Sequence, residues 1–343
     1  MYKIKLINIL FVVNFLLWSS FSATASSLFP EIVGVKTVFY YDSARLRPLV
    51  GNIYYPVDKN IQGEDKADPM VHAKEAKNAP VKRSKEPYPL IIISHGYGGS
   101  REHLSWLAEA LTNAGYIVAT IDHFGNTASF DTPKIALQRW LRPQDISAFL
   151  DNFLKDPEFS SLIETNHIGF AGYSLGGLTG IWLAGGIADQ FTKPIVGKSS
   201  IYELARDATE QDVDSIDYDQ ALKSYMDARI KAEFLMAPAH GQSFSTKGLK
   251  NIHIPILIVV GENDKVTPPS QHADHYAKSI PGVKLDLLKG NVSHYVFRNQ
   301  IRPDKINCVS SFEFEVDPSV DIKALHEETA GLAIDFFNKH LKK

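Results

Sequence analysis

The chain of 343 residues has a single cysteine, Cys308, so no intramolecular disulfide can form and its core must hold the fold together. Cys308 follows the polar run "IRPDKIN" with no glycine bend, which reads as an inert or surface thiol rather than a nucleophile. No long basic run with interleaved aromatics is present and the net charge is −3, which argues against nucleic acid as a partner. The pattern Gly-x-x-x-x-Gly-Lys is missing, so the glycine-rich loops are not phosphate-binding loops of that type. His272 and His275 stand three apart on a helical stretch, but no cysteine or acidic cluster joins them. They read as a solvated helix face, and no metal or organic cofactor is expected. Neither an internal repeat nor a domain linker is visible after residue 89.

The first 25 residues have their own grammar. Lys3 and Lys5 precede an apolar run from Ile7 to Trp18, and Ala23-Thr24-Ala25 supplies small residues for cleavage. This predicts a signal peptide over 1–25 and a single domain over 26–343, exported to the periplasm or beyond the cell. The apolar run is shorter than the roughly 20 residues a bilayer span needs, and no second one follows, so no stable membrane span is expected after cleavage. Loss of Lys3 and Lys5 lowers the net charge by two, to −5.

Two segments rich in Val, Ile and Tyr, "VGVKTVFYYD" and "RPLVGNIYYPV", predict an antiparallel pair of strands at one edge. Residues 59–88 are polar and read as a mobile or partly disordered insertion without a catalytic part. From Pro89 onward strands alternate with helices. "PLIIIS", "IVATIDHFG", "HIGFAGYS", "AEFLMAPA", "PILIVVGEND" and "VKLDLLKG" predict strands. "LSWLAEALTNAGY" predicts a helix stopped at Gly115, "SQHADHYAKSI" another, and Ile322, Leu325, Thr329, Leu332 and Phe336 mark one face of a last helix. In "ALQRWLRPQDISAFLDNFLKD", Pro143 marks either a kink or the first turn of a second helix. Apolar strands of this kind can expose neither face to water, so the expected fold is α/β: a mostly parallel sheet with helices on both faces.

In "HIGFAGYSLGG", Ser174 lies between a strand and a helix, hemmed by Gly172, Gly176 and Gly177. A sharp turn there would push the hydroxyl out at the carboxyl end of the sheet, with the helix N-terminus aimed at the same point. Serine needs a base to become a nucleophile, and the base needs an acid to orient it. Asp264 follows the strand "PILIVVGEN", and His294 follows the next strand. Glu262 is the rival acid, but it lies nearer the strand end, which favours Asp264. Among other histidines, His123 and His240 follow strands and are expected to line the pocket without taking protons, while His326 is expected to pack. An oxyanion also needs fixed donors. The loop "SHGYGGS" offers the N–H of Tyr97, and Leu175 offers that of the residue after the nucleophile.

These segments, together with "WLRPQDISAFLDNFL", "GENDKVTPP", "SHYVF" and the ending "LHEETAGLAIDFFNKHL", resemble secreted bacterial α/β-hydrolases related to dienelactone hydrolase and platelet-activating-factor acetylhydrolase. The resemblance runs from about residue 35 to the end and implies the α/β-hydrolase fold. It also implies Ser174 as nucleophile, Asp264 as acid, His294 as base, and Tyr97 and Leu175 as oxyanion donors. Dienelactone hydrolase itself carries cysteine at the elbow, where this chain has Ser174.

The expected activity is therefore hydrolysis of a carboxylic ester, small-molecule or lipid, through an acyl-serine. A phospholipid acetylhydrolase and an amide or peptide hydrolase share the triad. No acidic pair to grip a peptide terminus is evident in the sequence, nor does any motif select a phosphocholine head group. Residues 187–230 form a long excursion that is either a cover over the acyl pocket, with Ile216, Tyr218, Leu222 and Tyr225 beneath, or a solvated insertion.

Overall fold

The computed structural model describes residues 28–65, 73–194, 208–300 and 316–342. The predicted signal segment and Cys308 lie outside the described residues. Strands β1 (Ile32–Asp42) and β2 (Arg47–Tyr55) form the expected antiparallel pair, and β2 continues antiparallel onto β5 (Ile117–Ile121). The polar insertion contributes β3 (Lys74–Lys77), which runs parallel to the first half of β1 and takes the edge there. β4 (Tyr88–Ser94), β6 (Ile163–Tyr173), β7 (Ile230–Met236), β8 (Ile256–Gly261) and β9 (Lys284–Leu288) complete a parallel run. Among the described residues the sheet has nine strands in the order β3-β1-β2-β5-β4-β6-β7-β8-β9.

Helices α1 (Ser105–Asn113), α2 (Pro133–Leu137), α3 (Leu141–Phe153), α4 (Leu175–Leu183), α5 (Glu210–Asp214), α6 (Thr246–Leu249), α7 (Ala273–Ser279) and α8 (Ile322–Leu341) connect or flank the strands. Pro143 sits in the first turn of α3, where a missing N–H costs nothing, so it starts a helix rather than kinking one. Adjacent residues of β6 meet helices on opposite sides: Gly169 lies against Phe337 and Leu341 of α8, and Phe170 against Gly180 of α4. This two-sided cover explains why Ile91, Ile92, Val118, Ala119, Phe234 and Leu235 are all fully buried. Because β4, β6, β7 and β8 run parallel, their carboxyl ends gather on one rim, where Ser94, Tyr173, Met236 and Gly261 finish their strands.

Candidate active site

β6 ends at Tyr173 and α4 begins at Leu175, so Ser174 alone makes the turn, with φ 56° and ψ −111°. A non-glycine residue held at positive φ is strained. The surrounding backbone fixes it: Ser174 N–H donates to Met236 O at 2.9 Å, and its carbonyl accepts from Leu178 and Ala239, both at 3.1 Å. The neighbouring glycines serve close approach rather than unusual angles. A Cβ on Gly172 would collide with the Gly176 carbonyl, one on Gly176 with Ser94 O, and one on Gly177 would lie 2.7 Å from Pro238 Cα. The rim can pack this tightly only without side chains there.

Asp264 and His294 are delivered from β8 and β9. The loops after these strands are tied together by Asn263 N–H donating to Val292 O at 3.0 Å. Asp264 is buried and accepts from the backbone of Val266 (2.9 Å) and Thr267 (2.7 Å) and from Thr267 Oγ1 (2.8 Å). Its other partner is His294 Nδ1 at 2.7 Å, and His294 Nε2 lies 3.0 Å from Ser174 Oγ. Burial alone would raise the Asp264 carboxyl, but its hydrogen bond and electrostatic attraction to the His294 ring and the Thr267 donors outweigh it and hold it below the ordinary value. An ionised Asp264 accepts only, so Nδ1 carries the proton and Nε2 faces the serine with a lone pair. The five residues singled out from sequence thus share one rim. Leu175 opens α4, and Gly96, beside Tyr97, is so near that a Cβ on it would lie 3.4 Å from Ser174 Cβ.

The rivals are elsewhere. Glu262 is turned outward onto Lys289 Nζ (3.2 Å) and the Gly290 N–H (2.9 Å). His272 and His275 do not form a solvated face, contrary to expectation. His272 is buried at the start of α7 and accepts the Gly241 N–H at 3.0 Å, while His275 donates to Phe244 O at 2.8 Å. They brace the loop after β7 because α7 packs down on it. His240 is buried with φ 62° and stacks on Phe191. His326 packs as expected, stacked on Trp106 with centroids 4.1 Å apart, and it also donates to Val296 O at 2.8 Å, steadying the His294 segment.

Beneath the rim lies a polar cluster that the sequence reading did not identify. Ser94 Oγ is 2.8 Å from His123 Nε2, and His123 Nδ1 is 3.2 Å from Asp145 Oδ2. Asp145 is paired with Arg47 at 2.9 Å. Arg142 donates to His95 O, to Asn126 Oδ1 (2.8 Å), to Thr179 Oγ1 (3.3 Å) and to Ser94 Oγ (3.4 Å). All are buried, so His123 is inside the fold rather than lining a pocket. Burial and the Arg142 charge bring the His123 imidazole down to about 3 despite its bond to Asp145, so it is neutral. The available signal was Arg142 and Asp145, three apart on the face of α3 that also carries Ile146 and Phe149.

Comparison with known proteins agrees with this geometry. A cutinase from Thermobifida alba (Cutinase est1) is 24% identical over 217 residues, covering 62% of this chain and 55% of that protein. Lipase 1 of a Moraxella species is 23% identical, covering 60% and 47% respectively. The chain thus spans about half the length of these relatives. A ferulic acid esterase structure from Streptomyces cinnamoneus superposes with a TM-score of 0.60 at 20% identity, covering 93% of this chain and 92% of that one. That likeness shows the α/β-hydrolase fold. The family model for platelet-activating factor acetylhydrolase, isoform II, matches residues 65–136. The model of the prolyl oligopeptidase family matches residues 102–288, more than half of the chain, from α1 through β9. With this match on an α/β-hydrolase fold, the chain belongs to the prolyl oligopeptidase family.

Proposed function

We propose that the chain is a serine hydrolase that cleaves a carboxylic ester through an acyl-serine intermediate. The observation that carries this reading is the continuous path from Ser174 Oγ through His294 to Asp264, at 3.0 and 2.7 Å, on a strained strand-to-helix turn. His294 Nε2 takes the hydroxyl proton as Ser174 Oγ attacks the ester carbonyl, and Asp264 steadies the imidazolium that forms. The N–H groups of Tyr97 and Leu175 receive the oxyanion. Collapse of the tetrahedral intermediate transfers the proton from His294 to the leaving alcohol. Water then enters by the same route and frees the acid.

Cutinase, lipase and ferulic acid esterase neighbours support an ester as the substrate class. The isoform II acetylhydrolase match gives a phospholipid ester a specific observation in its favour, and the family match does the same for an amide or peptide bond. Export fits the leading segment 1–25, and among the described residues no helix is long and apolar enough to cross a membrane. A fluorophosphonate probe should label the wild type and not Ser174→Ala. A panel of esters, phospholipids and anilides sharing one acyl group should then rank esters first. Faster cleavage of the anilide would overturn the ester reading in favour of the amide one.

A further inference from the structure

The loop that carries Tyr97 contains a histidine whose proton position is fixed by its neighbours. The backbone N–H of His123 points at His95 Nε2 at 3.3 Å, and an amide N–H can only donate. Nε2 therefore accepts, and the neutral ring must carry its hydrogen on Nδ1. Nδ1 lies 2.6 Å from Gly96 O, so it donates to that carbonyl. Burial and the nearby Arg142 charge keep the His95 imidazole well below its ordinary value, consistent with a neutral ring.

The consequence is directional. No peptide in the described chain is cis, so in the Gly96–Tyr97 peptide the C=O and N–H point opposite ways. With Gly96 O drawn to the imidazole, the Tyr97 N–H is turned away from it. A peptide flip would reverse that donor and put a carbonyl dipole where an oxyanion is to form.

Arg142 extends the same control to the second donor. It holds the His95 carbonyl on one side and Thr179 Oγ1 on the other, and Thr179 Oγ1 in turn donates to Leu175 O at 2.8 Å. One buried cation thus spans the two segments that carry the Tyr97 and Leu175 amides. Asp145 attracts it electrostatically and is itself held by ion pairs with Arg45 and Arg47 and by its bond to His123.

We propose that His95 is a positioning residue that sets the direction of the Gly96–Tyr97 peptide, and that the buried Arg142 cluster fixes His95 and the start of α4 in register for it. This rests on the acyl-serine reading. Glycine at position 99 belongs to the device: a Cβ there would lie 2.8 Å from His95 Nδ1, so a side chain would push the ring off the carbonyl.

The test contrasts two amides. His95→Asn places an N–H close to the Nδ1 position, whereas His95→Gln keeps a polar atom near Nε2 and offers no donor to Gly96 O. Removing one oxyanion donor costs about 10²- to 10³-fold in kcat. His95→Gln and His95→Leu should therefore lose on the order of 10²-fold in kcat on an aryl ester with little change in KM, while His95→Asn recovers most of it. Affinity for a trifluoromethyl ketone, whose adduct on Ser174 is an oxyanion, should fall in parallel. Gly99→Ala, which retains the His95 side chain but displaces its ring from the Gly96 carbonyl, should reproduce the loss and carries the test if the His95 variants fail to fold by circular dichroism. Equal losses in Asn and Gln, a better Gln than Asn, or a loss confined to KM would overturn the proposal. If Ser174→Ala keeps wild-type turnover, the acyl-serine reading falls and the clamp falls with it. If Ser174→Ala is inactive while His95→Gln and Gly99→Ala turn over normally, the clamp alone falls.

Discussion

Two carboxylates two residues apart, Asp264 and Glu262, differ in where the backbone sends them. Glu262 follows Gly261 directly and turns to solvent with Lys289, while Asp264 turns inward onto three donors from Val266 and Thr267 and onto His294. The Asp264→Asn change should lower kcat by about 10⁴-fold, because the amide can present its NH₂ to Nδ1 and hold the imidazole in the wrong tautomer. Glu262→Gln should leave kcat within about threefold, as expected for an exposed pair. Steady-state kinetics on both variants decide it, and a larger loss in Glu262→Gln would reverse the assignment. At this scale much was legible. Ser174, Asp264 and His294 each follow a strand-forming run in chain order, a pattern visible in the sequence alone. What could not be read was Thr267, an ordinary loop threonine whose hydroxyl meets both Asp264 (2.8 Å) and His294 (3.1 Å) only once two loops converge.

Elements were legible where their composition matched their burial. The central strands are apolar because both faces are covered, and α1 and α8 announce themselves by spacing. β3, "KEAK", has no such mark, since an edge strand of four residues is specified by its partner β1 rather than by its own side chains. One sequence reading of 187–230 is a cover with Ile216, Tyr218, Leu222 and Tyr225 beneath it, the other a solvated insertion; among the described residues α5 is followed by a separate 3₁₀ turn at Tyr218–Leu222, so these four do not lie on one helix. Val213, Ile216 and Ala221 are buried, and Leu222 is 41% exposed. Tyr218 nevertheless packs its ring 5.9 Å from Trp140 and 6.5 Å from Phe191, and Phe191 stacks on His240, which follows the loop beside Ser174. We propose that this aromatic run belongs to a cover over the acyl pocket. Replacing residues 209–222 with a short Gly/Ser linker should shift the preference between short and long acyl chains while fluorophosphonate labelling of Ser174 is kept. An unchanged chain-length profile in a folded, labelled variant would make the segment a surface insertion.

Among the described residues several ionisable groups are held neutral by burial, and these set the pH limits of the fold. Burial lowers the imidazoles of His123 to about 3 and of His272 and His326 to about 4, with nearby positive charge adding to the effect at His123. His95 and His240 are also lowered well below the ordinary value. In the unfolded chain these groups would take up protons near 6.5. Between that value and the folded ones the unfolded state binds more protons, so stability is lost as pH falls through this window. Glu233 acts from the other side. It is fully buried on β7 against Gly180, neither carboxyl oxygen has a hydrogen-bond partner, and burial raises it well above the ordinary glutamic acid value. Here the folded state binds the extra proton, so stability falls as pH rises above the unfolded value near 4.5 and goes on falling until the folded value is passed. Urea unfolding at pH 4.5, 6.5 and 8.5 should give a maximum near the middle. In Glu233→Gln the alkaline limb should be shallower than in the wild type by up to about 1.4 kcal/mol per pH unit, the slope of one proton. The difference between the two profiles isolates the carboxyl from every other group, and parallel alkaline limbs would mean that Glu233 is already ionised in the folded protein.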